Sequence, residues 1–210
     1  MENKEQWIAN QLKKLSLEEK IAQLIHIPAW SNRGSRHLEY LLKQVEDYKI
    51  GGIIFFQGTP ELQLDMTQRL QAVADLPLMI SIDAEWGLGM RLDNSPSFPY
   101  LLALGAIQDN QLIYDMGAEI ARQCKLLGIH VNFAPVVDIN SNPQNPVIGF
   151  RSFGDDKYKV AEKALAYMNG MQDHGVMACA KHFPGHGDTF EDSHFTLPIV
   201  KKGIQQLSEV

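Results

Sequence analysis

Short apolar runs that alternate with amphipathic segments limit the fold of this chain more than any other feature. Each run is a largely apolar stretch of the kind found in strands buried on both faces, and the segments between the runs carry apolar residues at helical spacing. The runs lie at residues 21–27, 53–56, 78–82, 129–133 and 176–180. Parallel strands joined by right-handed helical crossovers follow from this order, so the sequence predicts an α/β fold.

Polar residues follow three of the predicted strands, and their positions favour a barrel. Asp83 and Glu85 follow the third run, residues 132–138 end the fourth, and Lys181 and His182 follow the fifth. A (β/α)8 barrel assembles its site from many strand ends, whereas a doubly wound sheet uses one switch point. Five strand-helix units at about 40 residues each mean that eight need more than about 300. We therefore expect one partial domain over residues 1–210, the N-terminal portion of a (β/α)8 TIM-type barrel; an open five-stranded sheet is the alternative.

The composition of the chain limits the classes of partner that it is expected to bind. The formal net charge is −6, and the basic surface that nucleic acid requires is therefore not expected. The N-terminus lacks the apolar core of a signal peptide and no stretch is long enough to span a membrane, which predicts a cytoplasmic chain, although a trimmed periplasmic or secreted form stays open. Cys124 and Cys179 fall in a helical and a strand pattern, so we expect two buried free thiols. The oligomeric state is not predicted.

The segment from Lys181 to His194 holds three histidines, three acids and a lysine among glycines, directly after a predicted strand. Its Asp192-Ser193-His194 places a carboxylate within reach of an imidazole. Such an acid orients the ring and favours its charged form, which makes His194 a candidate proton donor near neutral pH. An incidental pair on a surface loop is the alternative, but the density of polar groups here favours catalysis.

Four residues are candidates for holding a substrate. Lys181 and His182 would face the mouth of a barrel, and Asp83 at a strand end could accept hydroxyl protons from a sugar. Arg151 lies in a long loop, between a Gly-Phe pair at residues 149–150 and a Phe-Gly pair at residues 153–154. Each of the four could instead be structural, with Arg151 pinning its loop to a carboxylate. The acidic balance of the chain and the nearby Trp86 fit a sugar as the small-molecule partner.

A metal site is the alternative to this hypothesis, because His182, His186 and Asp188, with Asp192 and His194, include enough ligands for zinc. The two histidines at 182 and 186 span Pro184 and Gly185 and cannot form a helical pair. The sequence therefore predicts no metal and no cofactor, and a metal-dependent hydrolase is a minor alternative.

With these residues assembled, the chain resembles the catalytic barrel of glycoside hydrolase family 3, in particular its β-N-acetylglucosaminidase branch. The string from Lys181 to His194, with its Lys-His-Phe-Pro-Gly-His-Gly-Asp-Thr and Asp-Ser-His, is highly specific to that branch. The resemblance covers most of the chain. It is carried by residues 17–23, 51–55, 81–85, 132–138, 151–154 and 181–194.

The resemblance implies a retaining glycosidase that acts on terminal β-linked N-acetylglucosamine, commonly in peptidoglycan turnover on muropeptide fragments. His194, supported by Asp192, would serve as acid and then base. Asp83, Arg151, Lys181 and His182 would grip the hydroxyls of the terminal sugar. A histidine in this role carries no negative charge, so phosphate could replace water as the acceptor.

Two departures from the family pattern matter. Trp86 replaces a glycine beside the sugar, which leaves the preference for the N-acetyl sugar open. The family's nucleophilic aspartate lies beyond position 210, so we expect a truncated barrel with little activity by itself, because a retaining glycosidase needs two catalytic groups. A catalytically silent sugar-binding remnant is the second alternative.

Overall fold

Helices and parallel strands alternate along the chain in the computed structural model, which describes residues 3–200 and 202–209. Two compact units divide the chain: the first is Met1–Ile82 with Arg91–Asp93, and the second is Asp83–Met90 with Asn94–Val210. The single domain expected over residues 1–210 stays a prediction. None of the helices in the described ranges has both the length and the apolar character of a membrane span.

The first unit is a three-stranded parallel sheet with its connecting helices. Ile53 of the central strand lies opposite Ile27 on one side and Ile80 on the other. Ile53, Phe55 and Ile80 are fully buried, as expected for strands covered on both faces. The elements are α1 (Lys4–Lys14), α2 (Leu17–Ala22), β1 (His26–Ala29), α3 (Ser35–Tyr48), β2 (Gly52–Phe55), α4 (Pro60–Val73) and β3 (Met79–Ile82).

The first strand differs from its prediction over residues 21–27. The Ser16 hydroxyl accepts a hydrogen bond from Glu19 N–H and the Glu19 carboxylate accepts one from Ser16 N–H, so the two residues form a capping box. The helix that this capping box starts runs to Ala22, so β1 begins only at His26. Pro28 lies inside β1 because the Ile25 and Ala29 carbonyls face β2, and the intervening Pro28 directs its missing N–H away from that strand.

The second unit contains two short parallel strands and two long helices. Val131 pairs with Met177, and both strands are shorter than the apolar runs that predicted them. The short helix α5 was not predicted. The elements are α5 (Leu101–Gly105), α6 (Asn110–Leu126), β4 (Val131–Asn132), α7 (Lys157–Asp173), β5 (Met177–Ala178) and α8 (Ile204–Glu209).

The helices α6 and α7 approach each other through glycines. A Cβ added to Gly117 would lie 2.4 Å from the Tyr167 carbonyl oxygen, and one added to Gly170 would lie 2.1 Å from that of Tyr114. Both distances are far below a van der Waals contact, so only glycine permits the two backbones to be this close. The close packing fixes α7, which carries the buried Tyr167 towards the polar end of β4.

Candidate active site

Four charged side chains of the second unit form a buried ion cluster, which we define as Asp83, Glu85, Arg151 and Lys181. Lys181 Nζ lies 2.9 Å from Asp83 Oδ1 and 2.7 Å from Glu85 Oε1. Arg151 donates to Glu85 through two bonds, Nε to Oε2 at 2.9 Å and Nη2 to Oε1 at 2.7 Å. The Glu85 carboxylate is fully buried, whereas the other three side chains retain 14–19% of their exposure. The cluster is thus shielded from solvent at Glu85 and partly exposed at its other three side chains.

The pKa shifts in the ion cluster have opposing causes. Burial alone would raise the pKa of Glu85, but the hydrogen bonds from Arg151 and the charges of Lys181 and Arg151 outweigh it and lower that pKa. Burial alone would likewise lower the pKa of Arg151, but the Glu85 bonds and the nearby carboxylates raise it. Both shifts favour the charged forms, so the pair remains ionised at neutral pH.

Buried hydrogen bonds fix the backbone between the two carboxylates. Ala84 N–H donates to Asn132 Oδ1 at 2.9 Å, and the Ala84 carbonyl accepts from Asn132 Nδ2 at 3.1 Å and from the Tyr167 hydroxyl at 3.1 Å. Ala84, Asn132 and Tyr167 are fully buried. Because Ala84 stands between Asp83 and Glu85, this clamp sets the position of both acids.

Asp138 positions the loop that follows β5. Its Oδ2 accepts from the His182 backbone N–H at 3.2 Å and contacts His182 Nδ1 at 2.6 Å, while its Oδ1 accepts from His186 N–H at 2.6 Å. The Asp138 side chain is fully buried and that of His182 is 36% exposed. With Nδ1 bound to Asp138, the Nε2 atom of His182 is the ring nitrogen left for a ligand.

The rest of the loop is held by its own contacts. The Thr189 hydroxyl lies 2.6 Å from His186 Nδ1, and Asn145 Nδ2 donates to the His186 carbonyl at 2.7 Å. Gly185 has φ +136°, which favours glycine, and a Cβ on Gly187 would lie 1.8 Å from the Ile139 carbonyl oxygen. Both glycines are therefore required by the path of the loop.

Asp192 and His194 form the predicted pair. His194 Nδ1 lies 2.6 Å from Asp192 Oδ1, and the His194 backbone N–H donates to the same oxygen at 2.8 Å. The backbone and ring hydrogen bonds from His194 lower the pKa of Asp192. The His194 side chain is 73% exposed.

The predicted site residues are therefore only partly assembled. Asp83, Arg151 and Lys181 meet through Glu85, and His182 follows Lys181 directly. In residues 3–200 and 202–209, neither Asp192 nor His194 hydrogen-bonds to Arg151, Lys181 or His182. The roles of all six residues remain predictions, and the contacts describe where they lie.

The side chains of the alternative metal site do not converge on a common point in the described residues. His182 and His186 turn their Nδ1 atoms to Asp138 and Thr189, and Asp188 pairs with Lys202 at 2.9 Å. Over the described parts of the chain, no group of three or more His, Cys, Asp or Glu side chains is arranged to hold a metal ion.

Three residues with structural importance were absent from the predicted site: Glu85, Asn132 and Asp138. Glu85 stands two residues after Asp83 at the same strand end, so its position was a signal that the sequence offered. Asn132 and Asp138 begin and end the polar segment after the fourth run, but nothing in the sequence indicated their partners. The cysteines are free as predicted; Cys124 is buried and Cys179 is half-buried.

Comparison with known proteins agrees with this architecture. The model of the glycosyl hydrolase family 3 N-terminal domain matches residues 16–210. Beta-hexosaminidase A of Pseudoalteromonas piscicida is 41% identical over 183 residues, which is 80% of this chain and 30% of that protein. The chain thus spans less than a third of this relative's length.

Two solved structures have a similar fold. The family 3 β-N-acetylglucosaminidase from Paenibacillus sp. str. FPU-7 gives a TM-score of 0.83 at 39% identity, over 92% of this chain and 38% of that one. The beta-glucoside phosphorylase BglX bound to 2FGlc gives 0.84 at 28% identity, over 91% and 34%. These matches confirm the resemblance inferred from the sequence: the chain belongs to glycosyl hydrolase family 3, and its fold is part of a (β/α)8 barrel.

Proposed function

We propose that this chain supplies the sugar-gripping residues and the acid/base pair of a retaining β-N-acetylhexosaminidase that releases terminal β-linked N-acetylglucosamine. The observation that carries the proposal is the ion cluster, in which two carboxylates that follow β3, a lysine that follows β5 and an arginine from the loop before α7 meet. Its charges cancel, so it suits a neutral ligand. Its donors and acceptors converge, as the many hydroxyls of a sugar require.

Each gripping residue has a defined role in this proposal. Asp83 accepts hydrogen bonds from sugar hydroxyls, Lys181 and Arg151 donate to hydroxyl oxygens, and His182 offers Nε2. Glu85 touches no sugar; it holds the two cations in place through its buried carboxylate. Charge-assisted hydrogen bonds of this kind are stronger than neutral ones, so each grip adds both affinity and orientation.

The acid/base step is assigned to His194. Asp192 accepts from Nδ1, which leaves Nε2 to give a proton to the glycosidic oxygen as the bond to the anomeric carbon breaks. An aspartate forms the glycosyl-enzyme, and His194 then takes a proton from the incoming water. The proposal assigns the nucleophile to none of the acids in residues 1–210. It requires the loop to bring Nε2 within hydrogen-bond reach of the glycosidic oxygen.

Water is the proposed acceptor, and phosphate is an outcome of the test. One structural relative is a phosphorylase at 28% identity. The imidazole that would act as the base carries no negative charge of its own to repel an anion, so the same pair could serve either acceptor. Products formed in phosphate buffer distinguish the two, because phosphorolysis yields the sugar 1-phosphate.

Sugar binding by this chain tests the grip. We expect N-acetylglucosamine to bind saturably and Asp83→Asn to weaken binding by roughly 10–100-fold, the loss of one charge-assisted hydrogen bond. NMR titration measures the dissociation constant. Asp65→Asn is the control, since Asp65 is an exposed acid paired with Arg69 on α4. Equal affinity of native protein and Asp83→Asn would contradict the assignment.

Turnover tests the acid. With the full-length product of the gene, His194→Ala should lower kcat by roughly 10²–10⁴ while sugar binding is kept. The loss should be larger for a methyl glycoside than for a 4-nitrophenyl glycoside, because nitrophenolate leaves without a proton. His174→Ala, at the exposed end of α7, is the control. Saturable binding with no turnover in the unaltered protein would favour the sugar-binding remnant, and chelator-sensitive turnover the metal-dependent hydrolase.

A further inference from the structure

Three aromatic rings of the second unit form what we call the aromatic cluster, Trp86, Tyr100 and Phe150, in which Tyr100 contacts both of the others. The rings of Trp86 and Tyr100 meet edge to face with centroids 4.7 Å apart, and those of Tyr100 and Phe150 lie 5.2 Å apart. Trp86 is half-buried, Tyr100 is 47% exposed and Phe150 is 61% exposed. Exposure of this much joined aromatic surface on one small area is a feature of binding sites.

The aromatic cluster is attached to the ion cluster through the backbone. Trp86 follows Glu85 directly and Phe150 precedes Arg151 directly, and the two bonds between Glu85 and Arg151 join segments 66 residues apart. The Trp86 carbonyl accepts a hydrogen bond from Phe98 N–H at 2.8 Å, which ties the backbone at Trp86 to the segment that carries Phe98. The residues that hold the charges therefore also hold the rings.

Exposure rises from the charges to the rings. The Glu85 and Lys181 side chains retain 0% and 14% of their exposure, whereas Phe150 retains 61%. The polar groups therefore lie deeper and the aromatic groups lie nearer to solvent. If the ion cluster holds the terminal sugar, the group that is linked to this sugar lies on the solvent-exposed side, where the aromatic rings are.

We propose that the aromatic cluster binds the sugar ring joined to the terminal sugar, and so makes this protein prefer a disaccharide end over a single sugar. This inference rests on the proposed function, since it needs a terminal sugar on the ion cluster. The carbon-bound hydrogens on a pyranose face form an apolar surface that packs on an aromatic ring. The cluster offers one hydroxyl and one indole N–H beside three apolar ring faces, so it suits a ring face better than a set of hydroxyls.

Binding by this chain tests the inference through two probes, N-acetylglucosamine and N,N′-diacetylchitobiose, measured by NMR titration. The disaccharide should bind roughly 3–10-fold more tightly than the monosaccharide, the range of one aromatic contact. Only the disaccharide should shift the Trp86 indole N–H strongly. The chain has three tryptophans, so Trp86→Phe assigns that signal.

Phe150→Ala should remove the difference in affinity between the two sugars and leave the dissociation constant for the monosaccharide unchanged. Phe150→Leu keeps apolar bulk but loses the ring; it should give the same result, and it serves if the alanine variant fails to fold. Tyr158→Ala is the matched control, because Tyr158 is an aromatic residue of the same unit that is 71% exposed. It should retain the native preference.

Three results would overturn the inference, and they separate it from the proposed function. Equal affinity of the native chain for both sugars, or an unchanged preference in Phe150→Leu, removes the role of the aromatic cluster and leaves the grip intact. Loss of affinity for the monosaccharide in Phe150→Leu would place the cluster on the terminal sugar instead. Binding of neither probe would overturn the proposed function and this inference together.

Discussion

Removing the charge of Glu85 should destabilise the second unit far more than removing a similar charge from its surface. In Glu85→Gln the side chain keeps its size, but two cations then face a neutral amide in a fully buried position. The native carboxylate accepts three charge-assisted hydrogen bonds, two from Arg151 and one from Lys181. Glutamine retains one acceptor oxygen and turns an N–H₂ group towards donors. Breaking a buried pair from one side costs roughly 3–5 kcal/mol, and we expect a loss in that range.

The second unit contains a matched control. Glu119 and Arg122 on α6 make the same two-bond contact, both at 2.7 Å, but their side chains are 38% and 60% exposed. Hydrogen bonds from Arg122 and Gln123 lower the pKa of Glu119 to about 2. Solvent screening and side-chain entropy nevertheless limit such a pair to about 0.2–1 kcal/mol, so Glu119→Gln should cost no more than that.

Urea unfolding followed by far-ultraviolet circular dichroism at pH 7 measures both losses in the free energy of unfolding. If Glu85→Gln and Glu119→Gln lose stability by amounts that agree within about 0.5 kcal/mol, burial is not the reason that the Glu85 ion pair stabilises the protein. A second set of curves tests the charge itself. The pKa of Glu85 is lowered on folding, so its contribution is complete above the unfolded value of about 4.3 and is lost as pH falls through the folded value. The difference in the free energy of unfolding between native protein and Glu85→Gln should therefore disappear in acid. A difference that is independent of pH would assign the loss to packing.

Two further predictions concern the loop after β5 and the thiols. Gly187→Ala should lower the thermal midpoint by at least roughly 4–8 °C, because its Cβ would lie 1.8 Å from the Ile139 carbonyl oxygen, whereas Gly203→Ala, with open space around it, should change the midpoint little. Equal midpoints in thermal scans would contradict the close approach. Burial raises the pKa of Cys124 to about 12, so a thiol reagent at pH 8 should modify Cys179 in the native protein and Cys124 only after urea is added. Two rapidly reacting thiols in the native protein would count against the buried position.

The parts of the fold that depend on neighbouring residues were predictable. Thr59, Asp109 and Asp156 are of the residue types preferred at helix starts, and each side chain accepts a hydrogen bond from a backbone N–H as the N-cap of its helix. The helix α5 was missed because the five residues Leu101–Gly105 are too few to show a periodic pattern. The first strand was misplaced because an apolar helix end and an apolar strand follow each other without a break.

The candidate site was predictable in its residue types but not in its pairings. The positions of Asp83 and Lys181 directly after predicted strands, and of Arg151 in a long loop, indicate these three residues from the sequence. Lys181 contacts Asp83, 98 positions away, and Arg151 contacts Glu85, 66 positions away; a single sequence does not report such pairings. The position of Glu85 at the same strand end as Asp83 was visible in the sequence, but its complete burial and its contacts with both cations were not, because neither has a local signal. The same holds for Asp138, which binds two histidines 44 and 48 positions away.

The cancelling charges of the ion cluster also bear on how a sugar arrives. A site with a large single-signed field attracts its ligand from a distance and loses that advantage as salt is added. Here two cations face two carboxylates at 2.7–2.9 Å, so the field beyond the mouth is short-ranged. Association with a neutral sugar should therefore proceed by unguided diffusion and be nearly independent of ionic strength. A negatively charged aglycone would meet a protein of net charge −6, and added salt would help it to approach.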